Sequence, residues 1–143
     1  MLRGLTTVTF FADDVAAARD WYAGLLGVEP YFVRPVAGAP AYVEFRIGDY
    51  QHELGIADRR FAVPGRLGDS EGDGEGGGAV VYWHVDEVQA AFERLLSLGA
   101  TVHEKPVERG PGFVTASVVD PFGNVLGVMH NRHYLDVLAS AGR

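Results

Sequence analysis

Apolar and polar residues follow the same pattern in two parts of the sequence. The segment TVTFFADDVAAARDWYAGLLG at residues 7–27 is echoed by VVYWHVDEVQAAFERLLSLG at residues 80–99. In each copy an alternating apolar run, typical of a strand, leads into an acidic pair, a stretch with helical spacing and a glycine. A long unit that occurs twice predicts a duplicated module rather than a solenoid of short repeats.

Each copy predicts an amphipathic helix. The apolar residues of the second copy recur at helical intervals and form one stripe: Val88, Ala91, Phe92, Leu95 and Leu96. The first copy has an equivalent stripe: Val15, Ala18, Tyr22, Leu25 and Leu26. Both helices are therefore expected to bury one face against a sheet.

The ends of the two helices are also indicated by the sequence. Asp13 and Asp86 are predicted to accept hydrogen bonds from the first free amides of the helices. Gln89 would complete a capping box with Asp86. Gly27 and Gly99 are predicted to end the helices, since glycine readily adopts the left-handed conformation found there.

The other alternating or apolar runs predict strands. They are expected at residues 5–12, 29–36, 40–47, 51–58, 79–86, 101–109, 112–119 and 125–131. Each half then reads βαβββ, which predicts an α+β fold of two tandem modules, at about 1–63 and 79–131. The glycine-rich stretch at 64–78 has no apolar pattern and predicts a flexible connector, or alternatively a mobile lid. Residues 132–143 are expected to form a short C-terminal helix.

Composition narrows the range of functions. A chain of 143 residues with 48% hydrophobic content can bury one sizeable core but hardly two independent ones. The formal charge of −7, with no stripe of basic residues, argues against nucleic-acid binding. The absence of cysteine excludes disulfides and thiolate ligands. We expect a cytoplasmic protein without membrane contact, since no signal-peptide pattern or membrane-length apolar stretch is present.

Three short motifs carry a resemblance to a known family: the pair Trp21 and Tyr22, the LLG stop at Leu25 to Gly27, and DPFGN at Asp120 to Asn124. Together with the two βαβββ units, they resemble the vicinal oxygen chelate superfamily. That group includes glyoxalase I, extradiol dioxygenases, fosfomycin-resistance proteins and bleomycin-binding proteins. The resemblance implies that each module curls its sheet into half of a funnel, with the helix on the convex side and a ligand on the concave side.

Strand alternation predicts which side chains line the concave side, because successive residues point to opposite faces. If Val8 and Phe10 pack beneath the first helix, their neighbours face the ligand. The predicted ligand-binding residues are Thr7, Thr9, Phe11, Tyr42, Glu44, Arg46, Glu53, Tyr82, His84, Thr115, Ser117 and Met129. Glu44, Arg46 and Glu53 could instead form a structural ion-pair set, and His84 could be a hydrated residue at the mouth of the cleft.

The resemblance also implies where a metal ion would bind. Metal-dependent members use His, Glu or Gln at set positions in the first and last strands of each module, and these positions fall here on Thr7, Gly55, Val80 and Gly127. None of the four is a plausible ligand for zinc, iron, manganese or nickel. We therefore expect no metal and no other cofactor. The alternative is a relocated metal site that uses nearby residues such as Glu53 and His84.

Three functional hypotheses follow. The first is a metal-free protein that binds a small, aromatic or apolar molecule. The second is a lyase, isomerase or dioxygenase of the same superfamily that uses relocated metal ligands, or His84 or Glu53 as an acid or base. The third is an accessory dimerisation module with a vestigial cleft. A homodimer is expected in each case, because each module leaves a sheet edge open.

Overall fold

The computed structural model of the protein describes residues 1–62 and 80–142. The chain divides into two compact units, Met1–Gly77 and Gly78–Arg143, and each is considered by itself. The predicted connector at 64–78 lies outside the described residues. Within those residues, no helix is long and apolar enough to cross a membrane.

Unit 1 is a four-stranded sheet with one long helix. Its elements are β1 (Thr7–Ala12), α1 (Val15–Leu26), β2 (Phe32–Arg34), β3 (Tyr42–Ile47), β4 (His52–Asp58) and a 3-10 turn (Arg59–Phe61). The strand order is β1-β4-β3-β2, with β1 parallel to β4 and the other pairs antiparallel. Strand β2 is shorter than the predicted 29–36, because prolines at positions 30 and 35 cannot donate to a sheet ladder.

Unit 2 repeats this arrangement and adds a helix. Its elements are β5 (Tyr82–His84), α2 (Val88–Ser97), β6 (Thr101–Gly110), β7 (Phe113–Val119), β8 (Val125–Asn131) and α3 (Arg132–Ser140). The strand order β5-β8-β7-β6 matches that of unit 1, and β5 is parallel to β8. The predicted α+β fold of two βαβββ modules is thus confirmed.

The helix stripes supply one side of each core. Helix α1 buries Val15, Ala18 and Tyr22, and the Tyr22 ring lies 6.0 Å from that of Phe10 on β1. In unit 2 the buried residues of α2 are Val88, Phe92 and Leu95. Burying a large apolar side chain contributes roughly 1.5–3 kcal/mol relative to leaving it exposed. The stripes therefore hold both helices on their sheets.

The start of α1 differs from the prediction by one residue. Asp14, rather than Asp13, is the N-cap, and its Oδ1 accepts a hydrogen bond from Ala17 N at 2.9 Å. Asp13 instead accepts from Arg59 Nε at 3.2 Å. Either of the adjacent residues Asp13 and Asp14 could cap the helix, but Asp13 is paired with Arg59, which is distant in sequence.

The predicted capping box at α2 is also wrong. This helix begins after Glu87, which makes no side-chain cap hydrogen bond. The Gln89 side chain donates to Glu93 Oε1 at 2.7 Å, one turn further along the helix, instead of accepting from the backbone N–H of Asp86. The glycine stops are as expected, since Gly27 and Gly99 adopt positive φ angles of 70° and 100°.

The DPFGN motif forms the turn between β7 and β8. Asp120 is buried, and its Oδ1 accepts from the backbone N–H groups of Phe122 and Asn124 at 2.9 and 2.8 Å. Its Oδ2 accepts from Asn124 Nδ2 at 3.0 Å, and Gly123 supplies the positive φ of 93°. The motif therefore fixes the start of β8 at Val125, two residues before Gly127.

Candidate functional site

One face of the unit 1 sheet carries most of the polar residues predicted for ligand binding. Strand register aligns Thr7, Glu53 and Arg46 in one row across β1, β4 and β3. Glu44 and Tyr42 follow on the same face of β3, while the intervening Val43 and Phe45 are buried in the core. We call Thr7, Tyr42, Glu44, Arg46 and Glu53 the polar wall.

Glu53 is the centre of one half of the polar wall. The Thr7 hydroxyl donates to Glu53 Oε2 at 2.6 Å, and Arg46 Nη1 lies 3.7 Å from Glu53 Oε1. The guanidinium of Arg46 lies 4.5 Å from the centre of the Tyr31 ring. The predicted ion pair therefore exists for Arg46 and Glu53, and an aromatic ring that the sequence did not single out supports it.

Tyr42 and Glu44 form the other half. The Tyr42 hydroxyl donates to Glu44 Oε1 at 2.5 Å. Burial raises the pKa of Tyr42, and the charge of Glu53 raises it further. Burial and then Glu53 also raise the pKa of the Glu44 carboxyl, while Arg46 opposes that rise. Glu53 thus creates a negative potential that both groups experience.

Tyr42 also occupies the space above Gly55. A β-carbon placed at Gly55 would overlap the Tyr42 hydroxyl and lie 2.9 Å from its Cζ atom. The centres of the Phe32 and Tyr42 rings lie 6.2 Å apart, in a T-shaped arrangement. The last-strand position that the resemblance assigns to a metal ligand is therefore covered by an aromatic side chain in unit 1.

Unit 2 repeats this relationship with a different tyrosine. A β-carbon at Gly127 would lie 2.6 Å from Cδ1 of Tyr82 and 2.7 Å from the carbonyl oxygen of Val81. Tyr82 is opposite Gly127 in the β5–β8 register and is 39% exposed. No side chain larger than hydrogen fits at Gly127 unless the strand shifts.

The polar residues on β7 are engaged by strand β6. Ser117 Oγ lies 2.8 Å from His103 Nδ1, and Thr115 Oγ1 accepts from Arg109 Nε at 3.1 Å. Arg109 also donates to Glu104 Oε1 at 2.5 Å. Sequence alternation missed these contacts, because β6 has register shifts at Val102/Glu104, Glu104/Val107 and Glu108/Gly110. Each shift changes which side chains share a face.

His84 is covered by the C-terminal helix. Its Nδ1 accepts from the backbone N–H of Asn131 at 3.2 Å, and its ring stacks on Tyr134 at 4.7 Å. Its side chain is 9% exposed, and Nε2 lies 3.6 Å from the Asp86 carboxylate. The Nε2 atom is buried and has no hydrogen-bond partner within the described residues. This surrounding matches neither the hydrated cleft-mouth position nor an open ligand-binding position.

The other predicted residues are distributed over both units. Thr9 and Phe11 alternate with Thr7 along β1, opposite Gly55 and Ala57 of β4. Met129 pairs with His84 and Thr115 in register, and its sulfur lies 3.8 Å from Asn131 Nδ2. Glu53 and His84, the two acid–base candidates, belong to different units. Among residues 1–62 and 80–142, no group of three or more His, Asp or Glu side chains could hold a metal ion.

Comparison with solved structures supports the fold. A glyoxalase-related enzyme from Fulvimarina pelagi matches with a TM-score of 0.66 at 18% identity, over 91% of this chain and 89% of that one. Lactoylglutathione lyase from Agrobacterium tumefaciens matches with a TM-score of 0.62 at 21% identity, over 90% and 94% of the two chains. A superfamily member from Sphaerobacter thermophilus gives 0.62 at 17% identity, over 90% and 97%. These likenesses concern the fold alone.

The sequence itself identifies the family. No functionally curated protein matches the chain. The sequence profile of the Glyoxalase/Bleomycin resistance protein/Dioxygenase superfamily matches residues 4–128, which span both βαβββ units. The chain therefore belongs to the Glyoxalase/Bleomycin resistance protein/Dioxygenase superfamily.

Proposed function

We propose that this protein binds a small, flat aromatic or apolar molecule without a metal ion. One observation carries the proposal: at Gly55 and at Gly127, a tyrosine ring fills the space that a metal-ligating side chain would need. The other two positions, Thr7 and Val80, offer a hydroxyl engaged by Glu53 and an alkyl group. These four positions therefore offer none of the imidazole or carboxylate donors that a divalent ion prefers.

The aromatic residues supply the contact area for such a ligand. Tyr42 and Phe32 form a pair in unit 1, with their ring centres 6.2 Å apart. Small-molecule sites usually combine apolar and aromatic surface with a few placed polar groups. The polar wall provides those groups beside Tyr42.

Metal analysis and thermal unfolding of the purified protein test the proposal. We expect no stoichiometric divalent ion, no change in Tm with a chelator, and a Tm that rises with the concentration of acridine, a flat neutral aromatic. Tyr42→Ala should reduce the rise, whereas Phe61→Ala, at an exposed aromatic residue in the 3-10 turn, should not. A stoichiometric ion whose removal lowers Tm would contradict the proposal.

A second candidate is a metal-independent enzyme in which Tyr42 and Glu44 act as an acid–base pair. Their 2.5 Å hydrogen bond and the raised pKa of Glu44 favour it, because a carboxyl pKa shifted towards neutrality suits proton transfer. A bound compound recovered unchanged supports the binding protein. A product that forms with the wild type but not with Glu44→Gln supports the enzyme.

The homodimer and the cytoplasmic location stay predictions. Sedimentation of the purified protein measures the first directly, and fractionation of the source cells measures the second.

A further inference from the structure

We infer that the polar wall selects a ligand that is both a hydrogen-bond donor and a cation, such as a protonated aromatic amine, and that Glu44 is its main acceptor. The inference rests on the proposed function, because it names the class of molecule that this face of unit 1 would bind.

The direction of the hydrogen bonds on the polar wall is the first argument. Thr7 donates its hydroxyl hydrogen to Glu53, and Tyr42 donates its hydroxyl hydrogen to Glu44. A hydroxyl has a single hydrogen, so both groups can now only accept from a ligand. Ionised carboxylates are acceptors as well. Both hydroxyls and both carboxylates of the polar wall would therefore act as acceptors, so a ligand must supply the hydrogen-bond donors.

The balance of charge is the second argument. The wall has two carboxylates and one guanidinium, and Arg46 lies beside Glu53. Glu44 has the neutral Tyr42 hydroxyl as its hydrogen-bond partner. Burial is the larger cause of the raised pKa values of Tyr42 and Glu44, and the negative charge of Glu53 is the second cause in both cases. This second contribution indicates that a positive charge beside these two residues would be favourable. A cation bound at Glu44 would offset that negative charge.

The rings near the wall are the third argument. The guanidinium groups of Arg46 and Arg34 already lie 4.5 Å and 4.1 Å from the ring centres of Tyr31 and Phe32. These ring faces thus already accept planar cations. Phe32 and Gly55 are the register partners of Glu44 on either side. A flat cation beside Glu44 would therefore have the Phe32 ring on one side and the Tyr42 ring, which lies above Gly55, on the other.

Three acridines that share one ring system and differ in charge test the inference: 9-aminoacridine, a cation at neutral pH; acridine, which is neutral; and acridine-9-carboxylate, an anion. Their dissociation constants are measured by fluorescence titration against the wild-type protein. We expect 9-aminoacridine to bind about tenfold more tightly than acridine, as one charge-assisted hydrogen bond allows. The anion should bind more weakly than either.

Two variants locate the effect. Glu44→Gln keeps an oxygen that can accept from Tyr42 but removes the charge. In this variant the dissociation constants of 9-aminoacridine and acridine should become similar. Glu29→Gln removes the same charge from an exposed position in unit 1 and should leave their ratio unchanged. Equal loss of the ratio in both variants would mean that the net charge of the chain, rather than Glu44, sets the preference, and would overturn the inference.

The wild-type measurements alone also decide the matter if a variant does not fold. Equal binding of the three acridines, or a preference for the anion, would overturn the inference and leave the proposed function standing. Binding of none of them would overturn both.

Discussion

The ring of Tyr82 lies so close to Gly127 that a β-carbon on Gly127 would sit 2.6 Å from it and 2.7 Å from the carbonyl oxygen of Val81. The second obstacle is backbone, so it cannot rotate aside. Gly127 is therefore a position at which the sheet tolerates only glycine.

Gly127→Ala should lower the free energy of unfolding by about 1–3 kcal/mol, the usual cost of overpacking. Gly55→Ala should cost less, because the atoms that it meets belong to the Tyr42 side chain, which can move. Gly24→Ala, inside helix α1 with nothing within 4 Å, should stabilise the protein slightly. Urea denaturation of the three variants measures the differences. An unchanged stability in Gly127→Ala would contradict the close approach of Val81.

Glu44→Gln should become more stable relative to the wild type as the pH rises. A carboxyl group whose pKa is higher in the folded chain than in the unfolded chain binds more protons when folded. The stability that it contributes is complete below the usual glutamate pKa and declines as the pH rises through the raised value. Glutamine has no such titration. Denaturation from about pH 4 to about pH 8 measures this, since the usual glutamate pKa lies near the lower limit.

Glu29→Gln serves as the control for this titration, because it removes one exposed negative charge from the same unit. A difference between Glu44→Gln and wild type that stays constant with pH, or falls as pH rises, would show that Glu44 is not in the surroundings described.

Asp14→Ala should destabilise the protein by about 1 kcal/mol through the loss of an N-cap. Asp13→Ala removes an exposed ion pair with Arg59 and should cost less than Asp14→Ala, since surface pairs contribute about 0–1 kcal/mol. Thermal or urea unfolding of the two variants provides the comparison. The reverse order would mean that Asp13 caps the helix in solution.

Asp120→Asn should cost about 1–3 kcal/mol, because it places an amide donor among donors that now point at a buried carboxylate. Asp20→Asn, an exposed acid on helix α1, is the matched control and should have little effect. Equal unfolding free energies for the two variants would argue against the role of Asp120 in the turn.

The local sequence pattern was sufficient to predict helices α1 and α2 and the βαβββ order, because periodicity depends on neighbours in sequence. The cap of α1 was missed by one residue, since Arg59, distant in sequence, engages Asp13. The position of the Tyr42 ring over Gly55 depends on how β3 aligns with β4. No local sequence pattern encodes this alignment. The contact of His103 with Ser117 depends on an irregular strand. Long-range register therefore accounts for what the sequence left open.

The irregular register of β6 has a further consequence for the protein in a crowded solution. This strand lies at the outer edge of its sheet, and its three register shifts interrupt the regular row of N–H and C=O groups that a foreign strand would need for pairing. Lys105 and Pro106 add a charge and a missing donor in the same stretch. The long edge of unit 2 is thus a poor template for aggregation.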